Sequence, residues 1–195
     1  MIPEYKHIDI TIFSSKIELV EKILPEIYKE RYDSFSKESV SSFEHLTKHK
    51  FINPKPKASN PTSFMIWNNE SDPDKTFFLS NAQDGMSNLT RIITKKIKGD
   101  SIKVKLSTDE EEYPMNSMRK MVSGVEVRYI HAMKDSKWVF FEKGTPSDYE
   151  NLDLYKKRRV KDKFNIEIIM DYLNKENINF NQVFSSINQG FLYVS

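Results

Sequence analysis

The chain predicts an α+β fold built on a mainly antiparallel sheet packed against several helices, and three observations carry that expectation. Short β-rich runs dominate residues 63–143, a polar turn at Lys134-Asp135-Ser136-Lys137 separates two of them, and segments with helical periodicity lie before, between and after. The turn makes a hairpin of about residues 125–143, and apolar residues on both of its faces place that hairpin at the centre of the sheet.

The elements follow in order. Ser15 with Glu18 three residues on reads as a capping box, and Ile17, Val20, Leu24, Ile27 and Tyr28 continue at helical spacing, with a kink expected at Pro25. A second helix is expected over 36–49, where Val40, Phe43 and Leu46 are its apolar positions. Residues 1–52 therefore read as the helical part of a single domain. Asn53 to Pro61 holds three prolines and reads as an exposed connector over about 53–62. The sheet-containing part, about 63–195, begins there.

Strands are expected at Phe64–Trp67, Thr76–Ser80, Ile102–Leu106, Val125–Met133 and Trp138–Lys143, with a helix at 86–98 and a weaker one at 115–121. Helices at 151–159 and 162–175 follow Gly144, and Gly190–Val194 closes the sheet. If the hairpin turn centres on Asp135-Ser136, His131 faces Phe140 and Tyr129 faces Glu142, which brings Tyr129, His131 and Glu142 onto one face.

Composition narrows the function. Cysteine is absent from the 195 residues, which removes disulfides, thiolate nucleophiles, iron–sulfur clusters and cysteine-ligated zinc and fits a reducing cytoplasm. The N-terminus lacks the basic and apolar segments of a secretory signal, and the longest apolar runs are far too short to span a bilayer. With 30 Lys+Arg against 28 Asp+Glu, the net charge of +2 steers no polyanion by itself, so any electrostatic partner is chosen by a local block.

Two such blocks are candidate binding residues. Lys156, Lys157, Arg158 and Arg159, extended by Lys161 and Lys163, are the residue types that contact nucleic-acid phosphates, although the neighbouring acids also fit a solvated, ion-paired helix face. Asp109, Glu110, Glu111 and Glu112 read as a surface loop that could dock a basic partner. His131, Glu142 and Tyr129 form the acid–base candidate, because a carboxylate beside an imidazole tunes its pKa. His45 and His49 stand at i,i+4 metal-ligand spacing, but the glutamate that a zinc-protease helix needs after the first histidine is missing. Asp84-Gly85 ahead of a helix lacks the further glycines of a phosphate loop.

No cofactor motif and no nucleophile with a matched base are present, and no family resemblance emerges. The pattern points to a non-catalytic protein-binding or regulatory module, of which bacterial toxin-neutralising (immunity) proteins are one type. Nucleic-acid binding through residues 156–163 is the second reading.

Overall fold

Alternation along single strands decides how this chain folds. In His7-Ile8-Asp9-Ile10-Thr11-Ile12 the isoleucines fall on one face of a strand and the polar residues on the other, and all of them are buried. Such a strand needs neighbours on both edges and cover on both faces. The computed structural model describes residues 5–28, 35–53 and 62–195, and this segment is the middle strand of its sheet.

The described strands are β1 (His7–Phe13), β2 (Ser36–Ser39), β3 (Ser63–Asn69), β4 (Asp72–Ser80), β5 (Asp100–Ser107), β6 (Met115–Val122), β7 (Val125–Lys134), β8 (Trp138–Gly144) and β9 (Gln189–Val194). The described helices are α1 (Ile17–Tyr28), α2 (His45–Lys48), α3 (Ser87–Ile97), α4 (Leu152–Tyr155), α5 (Val160–Lys163), α6 (Ile166–Lys175) and α7 (Phe180–Val183). One open sheet runs in the order β2-β9-β3-β4-β1-β5-β6-β7-β8, with every pairing antiparallel. The α+β fold with an antiparallel sheet is the one the sequence predicts.

Each face has its own core. Ile10, Trp67, Phe77, Val104 and Ile130 face one way and pack with Leu46 of α2, Phe164, and Tyr172 and Leu173 of α6. Phe13, Phe64, Phe78 and Tyr193 face the other way and pack with Val20 and Leu24 of α1 and Ile93 of α3. Burying side chains of this size stabilises the fold by about 1.5–3 kcal/mol each. The second layer is incomplete. Among the described residues its core ends at β1, and Lys105, Arg119, Tyr129, His131 and Phe141 on the same face of β5 to β8 are only half-buried or exposed.

Several expectations are corrected. Residues 1–52 are not a helical part, since β1 and β2 both join the sheet. Residues 36–49 divide into β2, which pairs with β9 from Ser36↔Val194 to Ser39↔Phe191, and the short α2, because pairing with an otherwise open strand edge outweighs a weak helical stripe. Residues 115–121 are a strand, not a helix. β6 lies between β5 and β7, where its period-2 faces satisfy both neighbours. The expected helix over 151–159 becomes α4 and α5 with the basic block between them, and α6 starts at Ile166 because the Asn165 side chain caps it by accepting the Ile168 N–H at 3.0 Å. Pro54, Pro56 and Pro61 of the expected connector lie outside the described residues.

The hairpin forms as β7–β8 but stands at the margin of the sheet, with β8 as an edge strand, rather than at its centre. Its loop has three residues, Asp135 to Lys137, closed by the pair Lys134↔Trp138, so partners are displaced by one from the expected register. His131 faces Phe141 and Tyr129 faces Lys143.

Candidate functional site

The one-residue displacement separates the acid–base candidates. Tyr129 and His131 remain on one face, with ring centroids 5.1 Å apart, and the His131 ring stacks on Phe141 at 5.3 Å. Glu142 turns to the opposite face, where it pairs with Arg128. Burial and the nearby Arg119 charge hold the His131 imidazole below its ordinary pKa.

His45 and His49 do share a side of α2, with ring centroids 6.0 Å apart. His45 is buried, with its Nε2 3.7 Å from Glu44, while the His49 ring stacks on Phe51. Among the described residues no three His, Asp or Glu converge on one point where a metal would sit.

The charge blocks are brought together in part. Asp109 to Glu112 lie in the β5–β6 connection, where Asp109 accepts from the Lys161 Nζ at 2.8 Å through both oxygens and Glu110 lies 3.3 Å from the Lys6 Nζ. Lys161 also sits over the Trp138 ring at 5.1 Å. Trp138, Arg159 and Lys161 thereby line a groove of about 400 Å³, but Asp109, Asp162 and Glu167 line it too. Acids outnumber bases there. Lys156 pairs with Asp153 at 2.8 Å, and Lys156 to Arg159 form an exposed link between α4 and α5. Changing Lys157 and Arg158 together to glutamate is expected to shift stability by less than about 0.5 kcal/mol, measured by urea denaturation.

The residues that sequence reasoning missed sit on the half-uncovered face. In register across the sheet, Asp9 of β1 lies beside Lys105 of β5, Lys105 beside Ser117 of β6, and Ser117 beside His131 of β7. One step along, Lys103 lies beside Arg119, and Arg119 beside Tyr129. Asp9, Lys103, Lys105, Arg119 and Tyr129, with Asp84 from the loop before α3 and Ser87 from its first turn, enclose a recess of about 150 Å³.

Its floor is an ion pair. Lys103 is buried, with its Nζ 3.3 Å from the Asp9 Oδ1 while it donates to the Ser87 Oγ at 2.7 Å and to the carbonyls of Asp84 and Gly85. This lysine thus ties the loop before α3 to the sheet. Gly85 has φ +58°, and a Cβ on it would fall 2.4 Å from the Asp9 Oδ1, so only glycine lets the loop close over the carboxylate. Burial raises the Asp9 pKa against the pull of Lys103 and Lys105, and burial lowers that of Lys103 against the pull of Asp9.

No family model, curated protein or solved structure matches this chain. The rim above the ion pair therefore has to be read on its own chemistry. The Arg119 guanidinium lies 4.5 Å over the Tyr129 ring with its Nε 2.9 Å from Glu126, and no ion pair engages Lys105 among the described residues. The recess carries three cations against two carboxylates. It offers an oxyanion a cationic rim and the hydroxyls of Ser117 and Tyr129, and among the described residues no hydrogen bond joins either hydroxyl to a histidine or carboxylate base. The signal in the sequence was the alternation in 7–12 and 103–106, which aligns polar residues on the same face of two strands.

Proposed function

We propose that this chain is a non-catalytic protein-binding module that docks its partner on the face of β5 to β8 that the described residues leave half-covered, with the recess receiving an acidic side chain. The observation that carries this reading is the recess itself. At about 150 Å³ it is half the size at which pockets for free small molecules begin, ~300 Å³, yet it holds a Lys105 that no ion pair engages among the described residues and an Arg119–Tyr129 pair of the kind that anchors interfaces. A carboxylate on a partner surface fits that volume and that charge. Half-buried aromatic and cationic residues surrounded by open sheet are also the anatomy of a docking face.

The test is capture of a partner from the native host on immobilised protein, in parallel with a Lys105→Glu/Arg119→Glu variant. The expected result is a protein retained by the wild type and weakened by about 10- to 100-fold in the variant, or ~1.4–2.8 kcal/mol of binding free energy. Equal retention by both proteins would sink the site assignment. Toxin neutralisation, the immunity-type role, is the narrower form of this reading, and the identity of the captured protein decides it.

Nucleic-acid binding stays the second reading because the Lys161 and Lys163 ammonium groups lie over Trp138 and Phe140 at 5.1 and 5.3 Å. The acids in the same groove oppose it. Filter binding to mixed RNA and DNA over a salt series decides between the two, since phosphate contacts give a steep loss of affinity as salt rises and Lys157→Glu/Arg158→Glu removes it.

A further inference from the structure

The two margins of the sheet differ in kind. β2 is four residues, Ser-Lys-Glu-Ser, all exposed, and this is how an edge is kept from pairing with another chain. β8 is seven residues, Trp138-Val139-Phe140-Phe141-Glu142-Lys143-Gly144, and has no strand beyond it among the described residues. Val139 and Phe141 are 41% and 43% exposed on its one face, and Val127 of β7 adds to the same strip. A seven-residue edge that carries four large apolar side chains and has no strand beyond it among the described residues is a template for a further strand.

The backbone direction is fixed by two hydrogen bonds. Lys134 donates its N–H to Pro114, on the β6 side, and Asp135 donates to Lys137 across the hairpin. Alternation then turns the peptide groups of Val139, Phe141 and Lys143 toward β7 and those of Trp138, Phe140 and Glu142 outward. An antiparallel copy of β8 related by a two-fold axis through Phe141, the midpoint of the strand, pairs the whole length. Phe140 lies opposite Glu142 of the second copy, and Glu142 opposite its Phe140, so their free backbone groups exchange hydrogen bonds reciprocally. The two exposed Phe141 rings meet on the axis, an aromatic pair in place of exposed apolar surface.

Charge favours the same register. On the opposite face Lys163 of α5 places its Nζ 5.3 Å over the Phe140 ring, and no ion pair engages it among the described residues. Glu142 gives Arg128 its Oε2, while Arg128 is already held by Glu150, and the Glu142 side chain is 41% exposed. Setting Glu142 opposite the second copy's Phe140 brings that carboxylate to the second copy's Lys163, and the two-fold axis makes the ion pair twice. We infer that the occupant of this edge is a second copy of the chain, joined β8 to β8 in an isologous dimer with one continuous sheet.

Sedimentation velocity of the intact chain from about 1 μM to about 0.5 mM tests this, a span that covers weak and moderate self-association. The expected result is a concentration-dependent dimer. Phe141→Glu, which sets two carboxylates face to face at an exposed position, should leave a folded monomer, with far-UV circular dichroism unchanged. Lys163→Glu should weaken the dimer about tenfold, and adding Glu142→Lys to it should restore association, a rescue that a merely structural effect would not give. A monomer throughout the range, a dimer indifferent to Phe141→Glu, or a different protein lost from the edge in that variant would each overturn the inference. Lys105→Glu/Arg119→Glu should leave the dimer intact, so the docking face and the dimer edge fail or stand separately.

Discussion

Replacing Arg128 by alanine is expected to destabilise the fold by about 3–5 kcal/mol, because it strands a carboxylate in the interior. The Arg128 and Glu150 side chains are 5% and 2% exposed. The guanidinium donates from Nε to both Glu150 oxygens at 3.0 and 3.1 Å and from Nη2 to Oε2 at 2.7 Å, and its Nη1 reaches the carbonyls of Lys143 and Gly144 on β8. Glu150 in turn accepts from the Ser147 N–H at 2.9 Å and the Tyr155 hydroxyl at 2.8 Å, and Tyr155 touches the Tyr172 hydroxyl at 3.2 Å. One pair thus joins β7, β8, the loop before α4, α4 and α6. Urea denaturation measures the loss. Arg128→Met together with Glu150→Leu should cost less than the sum of the single changes, since apolar residues of similar size remove both charges at once. Additivity of the two would show that the pair does not act as a unit.

Much of the fold was legible where a pattern is local. β3, β4, β5, β7, β8, β9 and α3 announce themselves through β-rich or helical periodicity, and the structure places each within a few residues of its expected position. β6 was misread because Met115, Met118 and Met121 repeat every three residues as a helix stripe would, while their pairing with β5 and β7 is non-local. The 36–39 edge strand has no apolar signal at all, only the open side of β9. The candidate site was hidden for the same reason. Asp9, Lys103, Arg119 and Tyr129 come from four strands, and no sequence spacing links them until β1 pairs with β5 and β5 with β6. His131 and Glu142 were misplaced by a single loop residue, which is enough to send a side chain to the other face.

Acidification through the histidine range is expected to cost this protein roughly 3 kcal/mol of stability, and His7 is the main source. His7 is buried at the start of β1, with its Nδ1 3.1 Å from the Ser107 Oγ and its Nε2 without a hydrogen-bond partner among the described residues. Burial, with a smaller push from Lys105, lowers its pKa from 6.5 to about 4. Below its ordinary pKa the unfolded chain therefore binds a proton that the folded chain refuses. Stability contributed by the neutral ring is complete above about pH 6.5 and is lost as the pH falls to about 4, at roughly 1.4 kcal/mol for each pH unit inside that window. His131 and His49 are also lowered by burial and add in the same direction. Asp9 opposes them: its raised pKa means that the folded state takes up a proton before the unfolded state does, which offsets part of the loss at the acid end. Urea denaturation of the wild type and a His7→Asn variant at intervals between about pH 7.5 and about pH 4.5 separates these contributions. The wild type should lose most of the stated amount, and the variant, which cannot titrate at this position, should lose only the smaller part that His131 and His49 contribute. A variant that falls in parallel with the wild type would move the acid sensitivity from β1 to His131 and His49.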